Sequence, residues 1–457
     1  MAGATLTNKL EILQDNFGEG VSFLVNVKTR VLNQFPISPK KFDGRVIREN
    51  IGIAMPAGGG SLGPSASSVP SPSTSSNRET YIYHTYHFDT IQIDWDTADQ
   101  SSGRHAYIDA VKQELKRVAQ YRPREMERQI LGAGDGYLSE VPTTSATASV
   151  PIAVTTPGWQ FTVANWQAPK FPINSRIEFW DAHTATASKR DTPSKGYYTV
   201  SLVELKTDID GVFDSTLARI TVEEGSPGTN SPVGTDWVAR DEHVVENVAA
   251  GLNASNEMNG LDILIDDGNE LLVKNTKMGF ATASTFQNLA ADGSYWQAQV
   301  TDGSGQYLNI DLVEESADDI SINSGMDSSD VMFLVAHQFQ VRKYKAGLYP
   351  QERFPNTGNA GSFTAGSTTT FNDDYGPMIS QKPVIKSEFC PPSTAFIVGP
   401  GIMHYDLKPW GFWTGDGNMW RMNQQGRPAK VAHAYAIKAV GTTRRNQSAK
   451  IENLDTV

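Results

Sequence analysis

A tract of small and structure-breaking residues, Ala57 to Asn77, interrupts the N-terminal part of the chain. It holds four glycines, eight serines and three prolines in 21 residues, a composition that cannot bury a hydrophobic core. The flanking segments, Arg45–Met55 and Tyr81–Trp95, carry β-branched or alternating apolar residues and are predicted to be strands. The sequence therefore predicts a long β-hairpin with a loose tip. Because an isolated hairpin is only marginally stable in water, it needs another surface to lie on.

A long amphipathic helix is predicted directly after the hairpin, over Gly103–Leu131. Two serines before it can cap its N-terminus, and apolar residues recur at helical spacing from Ile108 to Ile130. Pro123 predicts a kink, and the glycine-rich run 132–136 should end the helix.

The remainder of the chain is predicted to be β-rich and then mixed. A capping signal at Asp327–Asp330 precedes apolar residues at helical spacing, which predicts a helix over 331–347. Strands are predicted at 175–180, 196–205, 217–222, 383–386, 394–398 and 431–440.

Charge is segregated along the chain. The net charge of -12 argues against a general nucleic-acid binder held by phosphate contacts. Residues 201–330 carry 24 acidic and five basic residues, whereas residues 101–130 carry seven basic and four acidic ones. A solvated acidic surface is the simplest explanation. The alternative is that a mildly basic side faces an anionic partner while the acidic side does not.

Several classes of protein are excluded by simple features. Cys390 is the only cysteine, so the chain forms no internal disulfide and no cysteine-based zinc site. The longest apolar run, 331–336, is far too short to span a bilayer, and the first residues lack the pattern of a secretory signal. We therefore expect a soluble protein that folds in a cytoplasm.

No motif in the sequence makes a convincing catalytic or metal site. Residues 59–63 have the spacing of a nucleophile elbow, but they lie in the low-complexity tract rather than between a strand and a helix. His243 begins an inverted zinc-protease pattern in which Asn247 replaces the second histidine. His84 and His87 are predicted to lie on opposite faces of a strand as exposed side chains. The sequence predicts no enzyme, no cofactor and no metal.

The order of these elements resembles that of tailed-bacteriophage major capsid proteins of the Hong Kong 97 type. Arg45–Trp95 looks like their extended loop and Gly103–Leu131 like their spine helix, while Asn256–Ile265 and His433–Leu454 are similar to other capsid segments. The resemblance implies an α+β fold with these parts: an N-terminal arm (1–44), the extended loop (45–98), the spine helix and start of the peripheral domain (99–150), a β-rich segment or insertion (151–245), an axial domain (246–400) and C-terminal peripheral strands (401–457).

The resemblance also implies a structural role. Copies of the chain would form pentamers and hexamers of an icosahedral shell that encloses double-stranded DNA. Contacts between subunits are expected at four extended-loop residues that one chain could not bury alone: Tyr81, Tyr83, Phe88 and Ile91.

Basic residues of the spine helix are expected to face the lumen. These are Lys112, Lys116 and Arg117, which would tolerate packaged DNA through weak, non-specific contacts without gripping it. The acidic middle of the chain would lie mainly elsewhere.

Some members of this family cross-link a lysine of the extended loop to an asparagine of a neighbour. No lysine occurs from Phe42 to Val111, so this shell is expected to hold by non-covalent contacts. The implied partners are further copies of the chain, a portal, a separate scaffolding protein and in some cases a decoration protein, with no membrane. The expected location is the virion, after assembly in the host cytoplasm.

Two alternatives stay open at this point. An encapsulin-like nanocompartment shell shares the fold and would enclose an enzyme instead of DNA, although this chain is long for that class. A β-rich virion surface or tail protein would lack the shell fold, and the long helix beside the hairpin argues against it.

Overall fold

The structure, a computed structural model, describes most of the chain in separated ranges. These are residues 31–38, 46–54, 74–94, 121–141, 158–181, 188–190, 197–205, 217–223, 236–245, 254–267, 285–287, 289–290, 295–325, 330–352, 371–372, 376–379, 382–412, 421–422 and 429–456. Sheets and helices both occur in them, so the fold is α+β, as predicted. Among the described residues, every helix is too short or too polar to cross a bilayer.

The strands are numbered in chain order. Those of the N-terminal half are β1 (Val46–Ala54), β2 (Ser76–Tyr83), β3 (Thr85–Asp94), β4 (Tyr137–Glu140), β5 (Gly158–Ala164), β6 (Arg176–Trp180), β7 (Tyr198–Leu205), β8 (Leu217–Glu223), β9 (Trp237–Arg240), β10 (Val244–Val245) and β11 (Ala254–Ser255). Those of the C-terminal half are β12 (Thr285–Phe286), β13 (Leu289–Ala290), β14 (Gln299–Asp302), β15 (Phe333–His337), β16 (Phe371–Asn372), β17 (Gly376–Ile379), β18 (Lys382–Ser387), β19 (Ala395–Val398), β20 (Ile402–Phe412), β21 (Arg421–Met422), β22 (Ala429–Thr442) and β23 (Ala449–Glu452).

Four α-helices are present in the described residues. They are α1 (121–131), α2 (Leu261–Leu264), α3 (Ile310–Ser324) and α4 (Gln338–Glu352). Short 3₁₀ helices lie at Leu32–Gln34, Asn165–Lys170 and Arg445–Gln447. Helix α1 ends before Gly132, as predicted, whereas positions 103–120 of the predicted spine helix lie outside the described residues.

The predicted hairpin is present, but it is shorter than expected. Strands β1 and β2 pair antiparallel as a two-stranded ribbon, with Val46 opposite Tyr83 and Ile51 opposite Arg78. The predicted single strand 81–95 is wrong, because the chain leaves the ribbon at His84 and continues as β3 in another sheet. The buried positions change parity there, from Ile82 to odd-numbered residues, so the two halves bury different faces.

Strand β3 joins the C-terminal strands. It pairs antiparallel with the long strand β22, with Ile91 opposite Ala432, and β20 and β21 also pair with β22. The side chains of Ala432, Ala434 and Ala436 are buried small residues that let neighbouring elements approach this sheet closely.

The β-rich segment forms an antiparallel sheet of six strands in the order β4-β9-β6-β7-β8-β5. Its core is aromatic, with Phe179 edge-on to Tyr198 at 5.1 Å and to Phe161 at 5.5 Å between ring centroids. The strands predicted at 175–180, 196–205 and 217–222 are confirmed as β6, β7 and β8. Their alternating apolar residues could be recognised because one face of the sheet is buried.

A mixed sheet has seven strands in the order β14-β23-β19-β15-β18-β17-β16. The helix predicted over 331–347 is wrong in its first part, because Phe333–His337 is the strand β15 and helix α4 begins only at Gln338. All five residues of β15 are buried, between β18 and β19, and a short apolar run buried on both faces has no strand periodicity. Strand β23, from the predicted C-terminal segment 401–457, also belongs to this sheet and pairs with β14 and β19.

Helix α3 was not predicted. The Asn309 side chain accepts a hydrogen bond from the Leu312 amide at 2.8 Å, and Gly325 ends the helix in a left-handed conformation with φ of 65°. Leu312, Val313 and Ile320 pack into the core of the seven-stranded sheet.

The fully buried Arg445 holds the C-terminal region against α2. Its guanidinium donates to the carbonyl oxygens of Leu264 at 3.0 Å and Ile263 at 3.1 Å, and it lies 4.9 Å from the ring of Phe286. These carbonyls are at the end of a helix, where they lack intrahelical partners, so the arginine stabilises the helix terminus.

Candidate functional site

The β1–β2 ribbon is anchored at one end and uncovered at the other. Ile47 and Ile82 at its base are buried in a cluster with Tyr405 and Ala439. At its outer end, residues 76–79 are exposed, and no third strand pairs with the ribbon within the described ranges. The ribbon is therefore an arm whose base is fixed and whose β2 edge is exposed at its outer end. Positions 55–73, most of the Gly/Ser/Pro tract, lie outside the described residues.

The residues predicted to contact other subunits separate into two groups. Tyr81 and Tyr83 on the ribbon are half-buried, and Phe88 on β3 is 52% exposed. Ile91 is only 4% exposed and packs in the main core, so the expectation that one chain could not bury it is wrong. Thr85, His87 and Ile91 of β3 point inward, so His87 is buried rather than exposed.

The outward face of this sheet carries an aromatic row, defined here as Tyr86, Phe88 and Tyr435. The rings of Tyr86 and Phe88 stack at 6.3 Å and those of Phe88 and Tyr435 at 6.0 Å between centroids. The ammonium group of Lys408 lies 4.0 Å from the Tyr435 ring. Tyr86 is 55% exposed, so the row presents a continuous apolar surface beside the base of the arm.

A groove with a volume of about 960 Å³ separates this sheet from the six-stranded sheet. His84 and residues 85–90 of β3 line one wall, and residues 172–176 and 240–243 line the other. Helix α1 contributes Arg122 and Glu125 to the groove. The Arg122 guanidinium pairs with the Asp89 carboxylate and lies 5.1 Å from the ring of Trp410, which fixes the helix against β3.

A buried charged network lies beneath the groove. Arg128 pairs with Glu125 at 2.6 Å and also with Glu257, and Arg240 pairs with Glu125 at 3.2 Å. His243 Nδ1 donates to Glu257 at 2.5 Å. The network therefore ties α1 to the end of β9 and to the segment before α2.

The arginines keep both carboxylates ionised. Burial alone would raise the pKa of Glu257, but Arg128 and the hydrogen bond from His243 lower that pKa to about 2. The pKa of Glu125 is likewise held well below its usual value, against its burial, by Arg128 and Arg240. This network was missed in the sequence because its members are far apart, although the 125–128 spacing on a helix is one local signal.

Ligand atoms of Glu125, His243 and Glu257 all lie within 4.8 Å of one another, a spacing that a metal ion could bridge. Arg128 donates to both carboxylates, however, and occupies the positions in which their oxygens would face a cation. The donor set therefore fits an arginine-compensated network better than a metal site.

The remaining residues singled out in the sequence are three basic residues and the cysteine. Lys112, Lys116 and Arg117, expected to face the lumen, lie outside the described residues. Cys390 is buried, and its thiol lies 3.4 Å from the Thr394 carbonyl oxygen. Burial raises the pKa of this thiol, so it is not activated as a nucleophile.

No family model matches the chain, and no curated protein matches it. Among solved structures, the chain is similar to the capsid asymmetric unit of cyanophage A-1(L), at 9% identity and a TM-score of 0.48, over 100% of this chain and 95% of that one. It is also similar to a structure from Mycobacterium phage Patience, at 8% identity and a TM-score of 0.40, over 98% and 89% of the two chains. A third similarity is to the holo-SrpI encapsulin complex of Synechococcus elongatus PCC 7942, at 8% identity and a TM-score of 0.39, over 94% and 89%.

Proposed function

We propose that the chain is a structural major capsid protein of the Hong Kong 97 type, a subunit that assembles non-covalently into the pentamers and hexamers of an icosahedral shell around double-stranded DNA. The observation that carries this proposal is the arm beside the aromatic row. Both are firmly fixed to the body of the molecule and both leave apolar or unpaired surface without a cover in one chain. Such surface is completed by further copies of the same chain.

The geometry supports contact through the outer face of β3. Phe88 and Tyr86 lie side by side on that face, close to the groove, where the arm of another copy could pack across aromatic rings and pair its strand edges. Tyr81 and Tyr83 contribute the half-buried face of the arm itself. In this proposal Ile91 supports β3 from inside and does not contact a neighbour.

The partners and the location follow from the same proposal. Packaged DNA would meet Lys112, Lys116 and Arg117 weakly and non-specifically, and a portal and a separate scaffolding protein would take part in assembly. The virion is then the site of the finished protein, after assembly in the host cytoplasm, and the role is structural rather than catalytic.

The assembly test is Phe88→Asp. A charge on an exposed aromatic should leave the single chain folded, because Phe88 is half-exposed, but it should prevent closed shells by placing a carboxylate in a dry contact. Negative-stain electron microscopy counts shells, and circular dichroism checks the fold. The matched control is Phe88→Tyr, which keeps the ring and should assemble normally.

Two results would contradict the proposal. Normal shells from Phe88→Asp would show that the outer face of β3 does not contact another subunit. Native particles that contain a protein cargo and no nucleic acid would show that the chain forms an encapsulin-like compartment and not a DNA shell.

A further inference from the structure

A second, smaller pocket lies on the other side of the buried charged network. Its volume is about 220 Å³, and it is bounded by α1, by the 3₁₀ segment Asn165–Lys170 and by Phe389. Four of its lining side chains are cationic and one is a carboxylate, in a pocket too small for a nucleotide or a peptide segment. The cations are Arg124, Arg128, Lys170 and Arg240, and the carboxylate is Glu125.

The four lining cations outnumber the three described carboxylates that pair with them at contact distance, Glu125, Glu257 and Glu388. Arg124 is paired with Glu388 at 3.1 Å, which leaves Arg128, Lys170 and Arg240 against Glu125 and Glu257. The Lys170 ammonium group donates to the Leu138 carbonyl oxygen at 3.1 Å, and no carboxylate of the described residues lies within ion-pair distance of it. Lys170 is thus half-buried and makes no ion pair at contact distance with a described carboxylate, although Asp135, Glu257 and Asp262 lie near enough to favour its charged form.

Arg240 also leaves hydrogen-bond donors unused beside this pocket. Its side chain is 7% exposed, and one terminal nitrogen donates to Glu125 and to the Lys170 carbonyl oxygen at 2.9 Å. Its Nε and Nη1 atoms have no hydrogen-bond partner among the described residues. A buried guanidinium with unused donors is costly, and a nearby anion lowers that cost.

The charge of Lys170 responds to this environment. Burial, and after it the nearby Arg128, lowers the pKa of Lys170 to about 8. An anion in the pocket would oppose both effects and hold the ammonium in its charged form.

We propose that this pocket binds a small oxyanion group, which Lys170 and Arg240 hold by charge and by donated hydrogen bonds. The chemistry fits a free tetrahedral dianion or the carboxylate of an acidic side chain from a second copy, since Pro169, Pro172 and Phe389 add an apolar wall for a short stem. Binding of the anion does not require an assembled shell, so this inference is tested independently of the proposed function.

The experiment titrates the full chain with sulfate, whose charge does not change near neutral pH, and with acetate as the carboxylate probe, by isothermal titration calorimetry. We expect saturable binding with one site per chain. Lys170→Gln should weaken it about tenfold or more, because a charge-assisted hydrogen bond is lost. The matched control is Lys189→Gln, which neutralises a lysine of the same sheet region that is already paired with Glu178.

Competition between the two probes distinguishes a free dianion from a protein carboxylate. Tight binding of sulfate with no competition by acetate favours a free dianion, whereas competition by acetate shows that a carboxylate fits the pocket, as an acidic side chain of a second copy requires. Sulfate binding should also weaken as the pH rises through 8, in step with the loss of the Lys170 charge. No saturable binding of either probe, or equal binding by wild type and Lys170→Gln, overturns the proposal.

Discussion

At the scale of single residues, the fixed base of the arm depends on a glycine. A Cβ atom added at Gly441 of β22 would lie only 2.6 to 2.7 Å from three side-chain carbons of Ile82, which is fully buried. Ile82 has no free space to move into, since Tyr405 and Ala439 pack around it. The missing side chain at position 441 therefore lets the arm sit directly on the C-terminal sheet.

We expect Gly441→Ala to destabilise the chain by about 1–3 kcal/mol, the usual cost of overpacking a filled core. Urea denaturation followed by circular dichroism measures this loss. The same substitution at Gly347 of α4, where an added Cβ meets nothing within 4 Å, is the control and should be neutral or stabilising. Equal effects at the two positions would show that the contact with Ile82 is not what demands the glycine.

At the scale of elements, what could be predicted depended on how each element is buried. Strands β7 and β8 and the inner half of β2 alternate in burial over several residues, and their sequence shows it. Strand β15 is buried on both faces and was therefore confused with the start of a helix. The charged network could not be predicted, because Arg128 and Glu257 lie on segments that only the tertiary fold brings together.

Helix α3 shows a signal that could have been used. Asn309 before the helix and Gly325 after it are an N-cap and a left-handed C-terminal residue, but the acidic residues between them hide the short apolar stripe of Leu312, Val313 and Ile320. The sequence therefore indicates the two ends of this helix more clearly than the apolar face that packs into the core.

The cap predicts a measurable loss. Asn309→Ala removes the acceptor for the Leu312 amide and should destabilise the chain by about 1 kcal/mol, with faster hydrogen exchange confined to the first turn of α3. Asn309→Asp keeps an acceptor at the same place and should retain most of the stability. Faster exchange throughout the seven-stranded sheet would instead assign Asn309 a wider role.

At the scale of the whole molecule, buried histidines make stability depend on pH. Burial lowers the pKa of both His87 and His404 to about 3, and the positive charges of Arg122 and Lys438 near His87, and of Lys438 near His404, act in the same direction. Both rings are therefore neutral in the fold, whereas in the unfolded chain they take up protons below their ordinary pKa of about 6.5. The fold loses stability as the pH falls from about 6.5 towards 3.

The expected slope is up to about 1.4 kcal/mol per pH unit for each histidine. The carboxylate of Glu257, with its pKa of about 2, adds a further loss below about pH 4.5. Urea midpoints at pH 7, 6 and 5 measure the slope, and His87→Gln should flatten it. His433→Gln is the control, since His433 hydrogen-bonds Thr90 at the surface. An unchanged slope in His87→Gln would exclude His87 as a source.

The pairing of β3 with β22 also determines when, during synthesis of the chain, this sheet can form. A ribosome makes Ile91 long before its partner Ala432, and at ordinary rates of translation the wait is roughly 20–70 s. During that interval the inner edge of β3 has no strand beside it, and the arm lacks Gly441 and Ala439, on which its base rests. A nascent chain therefore cannot offer a finished arm to another copy. The base of the arm is therefore completed only after the C-terminal strands have been synthesised.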